Sequence, residues 1–357
     1  MKKFIIPFIY ACVALAIACE HKDLCIHHPH KAKVKVVFDW KNAPEANPKG
    51  MCIWFYPTDG GQYIYRDLKR DGGVVELVDG TYKAICYNND YEATRIKGSR
   101  NFDTHSFYTR EGGITEGVNG TSTPSASRVK TDENSEEQRV VITPDPMWGC
   151  NAFEITVSLE DGVKYTCYPE EDEYREMEVV TKEHVITLYP LELTCTYTYE
   201  VNNVINIEDA SQMSAALSGM SGELQLGNEE LRKELVILPV EAIMDRENNR
   251  VTGKFYTFGH HEENIDPHKM VFIAWVALDA ETGTQPCYCV CPENDEEIAW
   301  IDVTDQVHQK DLAVKNKRRV HIVIDGGVKV PEAPPGPGMF GDPTVDDWKE
   351  EEIDLPM

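Results

Sequence analysis

The chain has 357 residues, which exceeds the usual size of one compact domain and favours two domains. Its 61 acidic residues against 35 basic residues give a net charge of −26, which repels nucleic-acid phosphates and excludes nucleic-acid binding. The composition, 41% apolar and 27% charged, is typical of a globular protein and excludes a chain that is disordered throughout.

The amino-terminal segment predicts secretion. A dibasic start precedes an apolar run over residues 4–18, which ends in small residues and is too short to cross a hydrocarbon core of about 30 Å. The residues before Cys19 resemble the bacterial lipobox, although Ala16 stands where leucine is usual. We therefore predict a signal peptide over residues 1–18, lipidation of Cys19 and a lipid-anchored tether over residues 19–30. A secreted protein without the lipid is the alternative.

Apolar and polar residues alternate through most of the chain, and this period of two predicts strands with one buried face. The pattern is clear in residues 32–40, in residues 153–159 and, at greatest length, in residues 191–201. Asp79-Gly80 and Asp161-Gly162 predict hairpin turns. Further strands are predicted over residues 51–56, 139–143, 254–258, 271–278, 287–291, 299–303 and 320–324.

Two stretches depart from the alternation. Residues 208–217 predict a short helix that ends at Gly219, because glycine readily takes the left-handed conformation of a helix cap. Residues 97–138 are rich in glycine, serine, threonine and charge, and they predict a long mobile loop of the first domain.

Many short strands without alternating helices predict an all-β chain of antiparallel β-sandwiches. We place an N-terminal sandwich over residues 31–187 and a C-terminal sandwich over residues 188–330. Residues 331–357 form a Pro/Gly-rich linker and an acidic tail. The tail contains four apolar residues and is a candidate strand donor to another subunit, or else folds back onto its own domain: Val345, Trp348, Ile353 and Leu355.

Histidines offer weak candidates for a metal site. Three of them lie within nine residues: His260, His261 and His268. Their spacing is not that of the helical His-Glu-x-x-His motif, so an exposed polar loop explains them better. Four further histidines, within residues 21–30, are explained by a flexible polar tether. We expect no metal and no cofactor.

The cysteines do not form the framework of a small disulfide-rich protein, although one or two bridges remain open. Cys287, Cys289 and Cys291 lack the spacing of zinc or iron–sulfur ligands and are interpreted as small buried residues. The sequence has no nucleophile elbow and no phosphate-binding glycine loop, so we expect no enzymatic activity.

Idiosyncratic segments occur at both ends of the chain: Cys19–Cys25, His28–His30, Val36–Trp40, Tyr87–Glu92, Tyr197–Val201, Leu217–Ser221, Phe258-Gly259, Asp302–Gln306, Val345–Trp348 and Ile353–Met357. Together they are similar to a lipoprotein family of Bacteroidetes related to the fimbrillins. The resemblance implies an outer-membrane lipoprotein of two tandem Greek-key, transthyretin-like β-sandwiches with a role in fimbria-like surface structures. It carries over no catalytic residues, and residues 112–137 and 168–184 do not match the family pattern.

We therefore expect a lipid-anchored structural or adhesive protein of the cell surface, a fimbrillin-like subunit or accessory. Its partners would be the outer-membrane lipid, through Cys19, and fimbrial subunits or other surface proteins, on the periplasmic or the external face. The alternative is a surface lipoprotein that binds glycans through exposed aromatic residues and polar loops. Trp54 and Trp275 lie in apolar strands and are predicted to pack in the core instead.

Overall fold

A computed structural model describes residues 31–115, 126–131, 135–158, 165–166, 175–176, 184–279, 283–308 and 318–332. The predicted signal peptide, the tether and all but the first two residues of the linker and tail lie outside the described residues. In this part of the chain, no helix is both long and apolar enough to cross a membrane.

The described part of the chain is built mainly from strands. The first half contains β1 (Lys31–Phe38), β2 (Met51–Pro57), β3 (Ile64–Leu68), β4 (Gly72–Val78), β5 (Gly80–Asn88), β6 (Thr94–Lys97), β7 (Ser106–Thr109), β8 (Arg128–Val129), β9 (Gln138–Val140), β10 (Trp148–Val157), β11 (Tyr165–Thr166), β12 (Arg175–Glu176) and β13 (His184–Leu188).

The second half contains β14 (Leu191–Glu192), β15 (Cys195–Asn202), β16 (Ala210–Ser221), β17 (Glu223–Gln225), β18 (Glu230–Leu231), β19 (Leu235–Asp245), β20 (Arg250–Thr257), β21 (Lys269–Asp279), β22 (Gly283–Tyr288), β23 (Val290–Cys291), β24 (Asn294–Ile298), β25 (Ile301–Asp302) and β26 (Arg319–Asp325). One short α-helical turn, Thr304–Val307, precedes β26. Among the described residues, 3₁₀ turns lie at Trp40–Asn42, Phe102–Thr104, Ile207–Asp209 and Arg246–Asn248.

Both halves use the same order of strands. In the first half, the sheets β13-β1-β4 and β3-β2-β5-β10 are linked where β3 turns tightly into β4. In the second half, the order is β26-β15-β20-β19-β16-β21-β22. The predicted all-β sandwich architecture is confirmed. The pairing is mainly antiparallel, but the first and last strands of each half, β1 with β13 and β15 with β26, run parallel.

Alternation along the strands fills a core in each half. In β1, Val34, Val36 and Phe38 are buried in the core of the first half, as their period of two predicts. In the second half, Tyr197 and Tyr199 of β15 pack in a core that also contains Phe272 of β21. The proposed boundary near residue 188 stays a prediction.

A third core, which we call the seam core, combines residues from both halves. Side chains of β2 and β5 that point away from the first core enter it. This explains why β2 is apolar on both faces. The buried members of the seam core are Cys52, Tyr56, Ile85, Tyr87, Phe102, Phe107 and Met147 from the first half, and Leu193, Leu224, Leu226 and Phe258 from the second.

The helix predicted over residues 208–217 is wrong, since most of this stretch belongs to strand β16. β16 lies between β19 and β21 and is buried on both faces, so its sequence lacks the alternation that marks a half-buried strand. Gly219 does take a positive φ, +80°, but next to a shift of strand register between Leu217 and Met220.

Two further expectations need correction. The described parts of the predicted loop over residues 97–138 include β7, which pairs with β17, and the start of β9, which pairs with β19, so they join the second half instead of forming a mobile loop. Phe153 is 60% exposed although Ile155 and Val157 are buried. The register of β10 shifts between Ala152 and Ile155, which turns Phe153 to the other face.

Candidate functional site

The predicted site residues divide into two groups. Cys19 lies outside the described residues, and so do the four apolar residues of the tail: Val345, Trp348, Ile353 and Leu355. Their roles stay predictions. The three histidines of the weak metal candidate are described, and the structure separates one of them from the other two.

A cluster of three histidines forms between the β20–β21 loop and the helical turn. One ring nitrogen from each of His260, His268 and His308 lies within 4.8 Å of the others. His261 is not in this cluster, and its Nδ1 accepts a hydrogen bond from the backbone N–H of Glu263. His308 is not among the predicted ligands, because it lies 40 residues beyond His268 and belongs to no local motif.

The ring of His268 is fixed by its surroundings. It is fully buried, and its Nδ1 lies 3.1 Å from the carbonyl oxygen of Ser218. A carbonyl only accepts, so Nδ1 carries the proton and Nε2 keeps its lone pair. A Cβ at position 219 would stand 2.7 Å from His268 Nδ1, so the glycine there makes room for the ring. Burial lowers the pKa of His268 to about 4, which keeps the ring neutral.

The turn that carries His308 is tied to β21 and to the edge of β26. His268 donates its backbone N–H to Thr304 Oγ1 at 2.9 Å, and Val303 N donates to the His268 carbonyl at 2.8 Å. The Gln306 side chain donates to the carbonyl of Val323 at 2.9 Å and accepts from its N–H at 2.7 Å. Gln306 therefore satisfies the main chain of one edge residue as a neighbouring strand would.

Another histidine, His105, is buried beside the seam core. Its Nδ1 lies 2.6 Å from Tyr56 Oη, and its Nε2 lies 3.2 Å from Tyr87 Oη. Tyr56 donates its hydroxyl proton to Ser99, so it accepts from Nδ1–H, and Tyr87 donates to Nε2. This network satisfies a neutral imidazole, and burial lowers the pKa of His105 to about 4.

We expect His105 to make stability depend on pH. Its pKa falls from 6.5 in the unfolded chain to about 4 in the folded protein. Between these two pH values the unfolded chain binds a proton at His105 and the folded protein does not, so acid favours unfolding. The contribution of His105 to the free energy of unfolding is fully present above pH 6.5, and about 3 kcal/mol of it is lost by pH 4. Unfolding free energies at several pH values for wild type and His105→Gln test this. Equal slopes for the two proteins would contradict it.

No disulfide joins the described cysteines to one another. Cys289 is buried in the second core, where burial raises its pKa to about 12, and this confirms its interpretation as a small buried residue. Cys287 and Cys291 are half-buried, so the interpretation as buried residues is wrong for these two. Cys86 and Cys150 lie opposite each other on β5 and β10, with their Sγ atoms 3.4 Å apart.

We expect Cys86 and Cys150 to form a disulfide in an oxidising compartment. Bond formation needs the sulfurs to close to about 2.05 Å, with two protons and two electrons passing to a disulfide oxidoreductase. Burial raises the pKa of Cys86, so the half-buried Cys150 is the thiol that reacts first. Peptide mass mapping without reductant should find the cross-link in protein exported to that compartment. A fully reduced pair would contradict it, and Cys195→Ser should leave the bridge intact.

Aromatic residues near the seam core offer little open surface for a sugar. Trp54 packs between Tyr63 and Tyr65, with ring centroids 5.1 and 4.7 Å away. Tyr63 is 38% exposed, and Trp54 is half-buried against the seam core. Trp275 is buried, as predicted. This packing favours a structural role for these rings.

A family model described as "Domain of unknown function (DUF5119)" matches residues 18–241, more than half of the chain. The chain belongs to this family. A relative from Bacteroides ovatus, assigned by inference as the fimbrium anchoring subunit Fim4B, is 22% identical over 361 aligned residues. The alignment covers 95% of this chain and 94% of the relative. The resemblance to a fimbrillin-related family is thereby confirmed.

The fold has a counterpart among solved structures. The crystal structure of a Bacteroides ovatus protein, assigned by inference as an adhesin, matches with a TM-score of 0.53 at 19% identity. The match covers 88% of this chain and 98% of that chain. It supports the same arrangement of β-sandwiches over most of the DUF5119 chain.

Proposed function

We propose that the protein is a fimbrium anchoring subunit, held at the surface of the outer membrane by a lipid on Cys19. The observation that carries the proposal is the similarity to Fim4B, which extends over 95% of this chain. The short apolar leader before Cys19 supports the lipid anchor. Such a role is structural and adhesive, and it needs binding surfaces instead of a catalytic centre.

The edge of β13 is the surface that we assign to a partner strand. Among the described strands, β13 pairs with β1 alone and ends its sheet. Val185 of β13, Lys35 of β1 and Val74 of β4 lie side by side, and the two valines are 46% and 63% exposed. An edge that no described strand covers, beside apolar side chains, favours strand addition by another subunit. The edge of β26, in contrast, is partly covered by Gln306.

We expect Val185→Glu to weaken capture of fimbrial subunits when the intact protein is pulled down from its own outer membrane. The charge would meet the incoming strand, while the exposed position should leave folding unchanged. Val323→Glu is the matched control, because Val323 is 41% exposed but lies on β26 beside Gln306.

The composition of the captured material decides between the functions. Fimbrial subunits bound by wild type and by Val323→Glu, but lost with Val185→Glu, are the expected result. Equal capture by both variants would refute the assignment to β13. Polysaccharide without fimbrial subunits would refute the anchoring function and favour the glycan-binding alternative.

A further inference from the structure

We propose that His260, His268 and His308 bind one divalent transition-metal ion, with Zn²⁺ as the expected occupant. The bound ion would hold the Thr304–Val307 turn, and with it Gln306, against the edge of β26. This inference does not depend on the anchoring function.

The ligand nitrogens already lie near the spacing that a metal needs. Zinc–nitrogen bonds of about 2.0–2.1 Å place two ligands of a tetrahedral site about 3.3 Å apart. His268 Nε2 and His308 Nε2 are 2.9 Å apart, and all three ligand atoms fall within 4.8 Å. The rings of His260 and His308 are stacked, with centroids 4.5 Å apart. Small side-chain rotations would bring the three nitrogens to the spacing of ligands around one ion.

The hydrogen bonds assign one ring proton each on His268 and His308. His268 keeps its proton on Nδ1, which donates to Ser218, so His308 must donate the proton that lies between the two Nε2 atoms. A metal ion would take the place of this proton, and His308 would bind the ion as the neutral tautomer, with its ring proton moved from Nε2 to Nδ1 through solvent. The bond from Nδ1–H to a backbone carbonyl is the usual way in which proteins orient a histidine ligand.

The donor set indicates which ions fit. Three imidazoles suit Zn²⁺, Cu²⁺ or Ni²⁺ and are poor ligands for Ca²⁺ or Mg²⁺, which prefer oxygen. His260 and His308 are half-buried, so an ion can enter from solvent, while His268 forms the buried floor. Three protein ligands leave a fourth position that water can fill.

The site also connects to the edge of the second sandwich. His308 directly follows the turn that carries Gln306, and the Gln306 side chain bonds both main-chain groups of Val323. An ion bound to His260 and His268 would fix His308 and restrict the movement of this turn. The expected consequence is that the Gln306 side chain stays hydrogen-bonded to the main chain of Val323 for a larger fraction of the time.

Metal binding is tested by titrating the purified full-length chain with Zn²⁺ and, for visible absorption, with Co²⁺. Wild type should bind one equivalent. His260→Ala and His308→Ala, both at half-buried positions, should each weaken binding at least tenfold, while the adjacent His261→Ala should not. Absence of binding, or unchanged affinity in His260→Ala and His308→Ala, would overturn the site.

The connection to β26 is tested by amide hydrogen exchange at Val323. Zn²⁺ should slow this exchange severalfold in wild type and leave it unchanged in Gln306→Ala, although Gln306→Ala should bind Zn²⁺ as tightly as wild type. If Zn²⁺ binds to wild type without slowing exchange at Val323, the three-histidine site is supported, but its effect on the edge of β26 is refuted.

Discussion

Phe107→Ala is expected to lower the free energy of unfolding by about 3–5 kcal/mol, the usual cost of emptying a buried phenylalanine site. Phe107 is fully buried in the seam core, and its ring packs edge-on against Tyr87 at 4.9 Å. It lies on β7, which belongs to the first half in sequence but pairs with β17 of the second. The cavity therefore opens where the two halves meet, and both halves should lose stability.

Chemical denaturation measures the cost, and amide exchange in β2 and in β15 shows which half is affected. Ile265→Ala is the control, because Ile265 is 94% exposed and should cost less than about 1 kcal/mol. Faster exchange in both strands is the expected result for Phe107→Ala. A cost equal to that of the control, or a loss confined to one half, would show that the seam core does not couple the halves.

The strands that could be predicted from the sequence are those with one buried face. β1 and β26 alternate strictly between buried and more exposed side chains, so the sequence itself contains their period. β16 could not be predicted in this way, because neighbours cover both of its faces and the apolar residues run on without a break. The parallel pairing of first and last strands depends on contacts between distant segments, which no local pattern records.

The histidine cluster illustrates the same limit. Closeness in sequence makes His260 and His268 candidate ligands, but the same criterion also selects His261, which is not part of the cluster. His308 joins them only because Val303 and Thr304 bond the backbone of His268. The segment Asp302–Gln306 supported the family resemblance, and the structure gives it a physical role in capping the turn and the edge of β26.

Cys19→Ala is expected to abolish lipid attachment completely. The thiol of Cys19 is the only group in the predicted lipobox that can form the thioether to the lipid, so no neighbouring residue can replace it. Metabolic labelling with a palmitate analogue should mark wild type and leave the variant unmarked. The variant should also move from the membrane fraction to the soluble extracytoplasmic fraction.

Cys25→Ala is the control for this experiment, since Cys25 lies in the predicted tether and should not affect labelling. Equal labelling of wild type and Cys19→Ala would refute lipidation at this residue. Loss of labelling in Cys25→Ala instead would move the lipid to the other cysteine.

The most direct test of the anchoring function is to measure where fimbriae are found in cells that make wild type or Cys19→Ala as their only copy of this protein. If the protein anchors fimbriae through its lipid, wild-type cells retain the fimbriae, and cells with Cys19→Ala release them into the medium in assembled form. Fimbriae that remain attached in equal number to both kinds of cell would contradict the account.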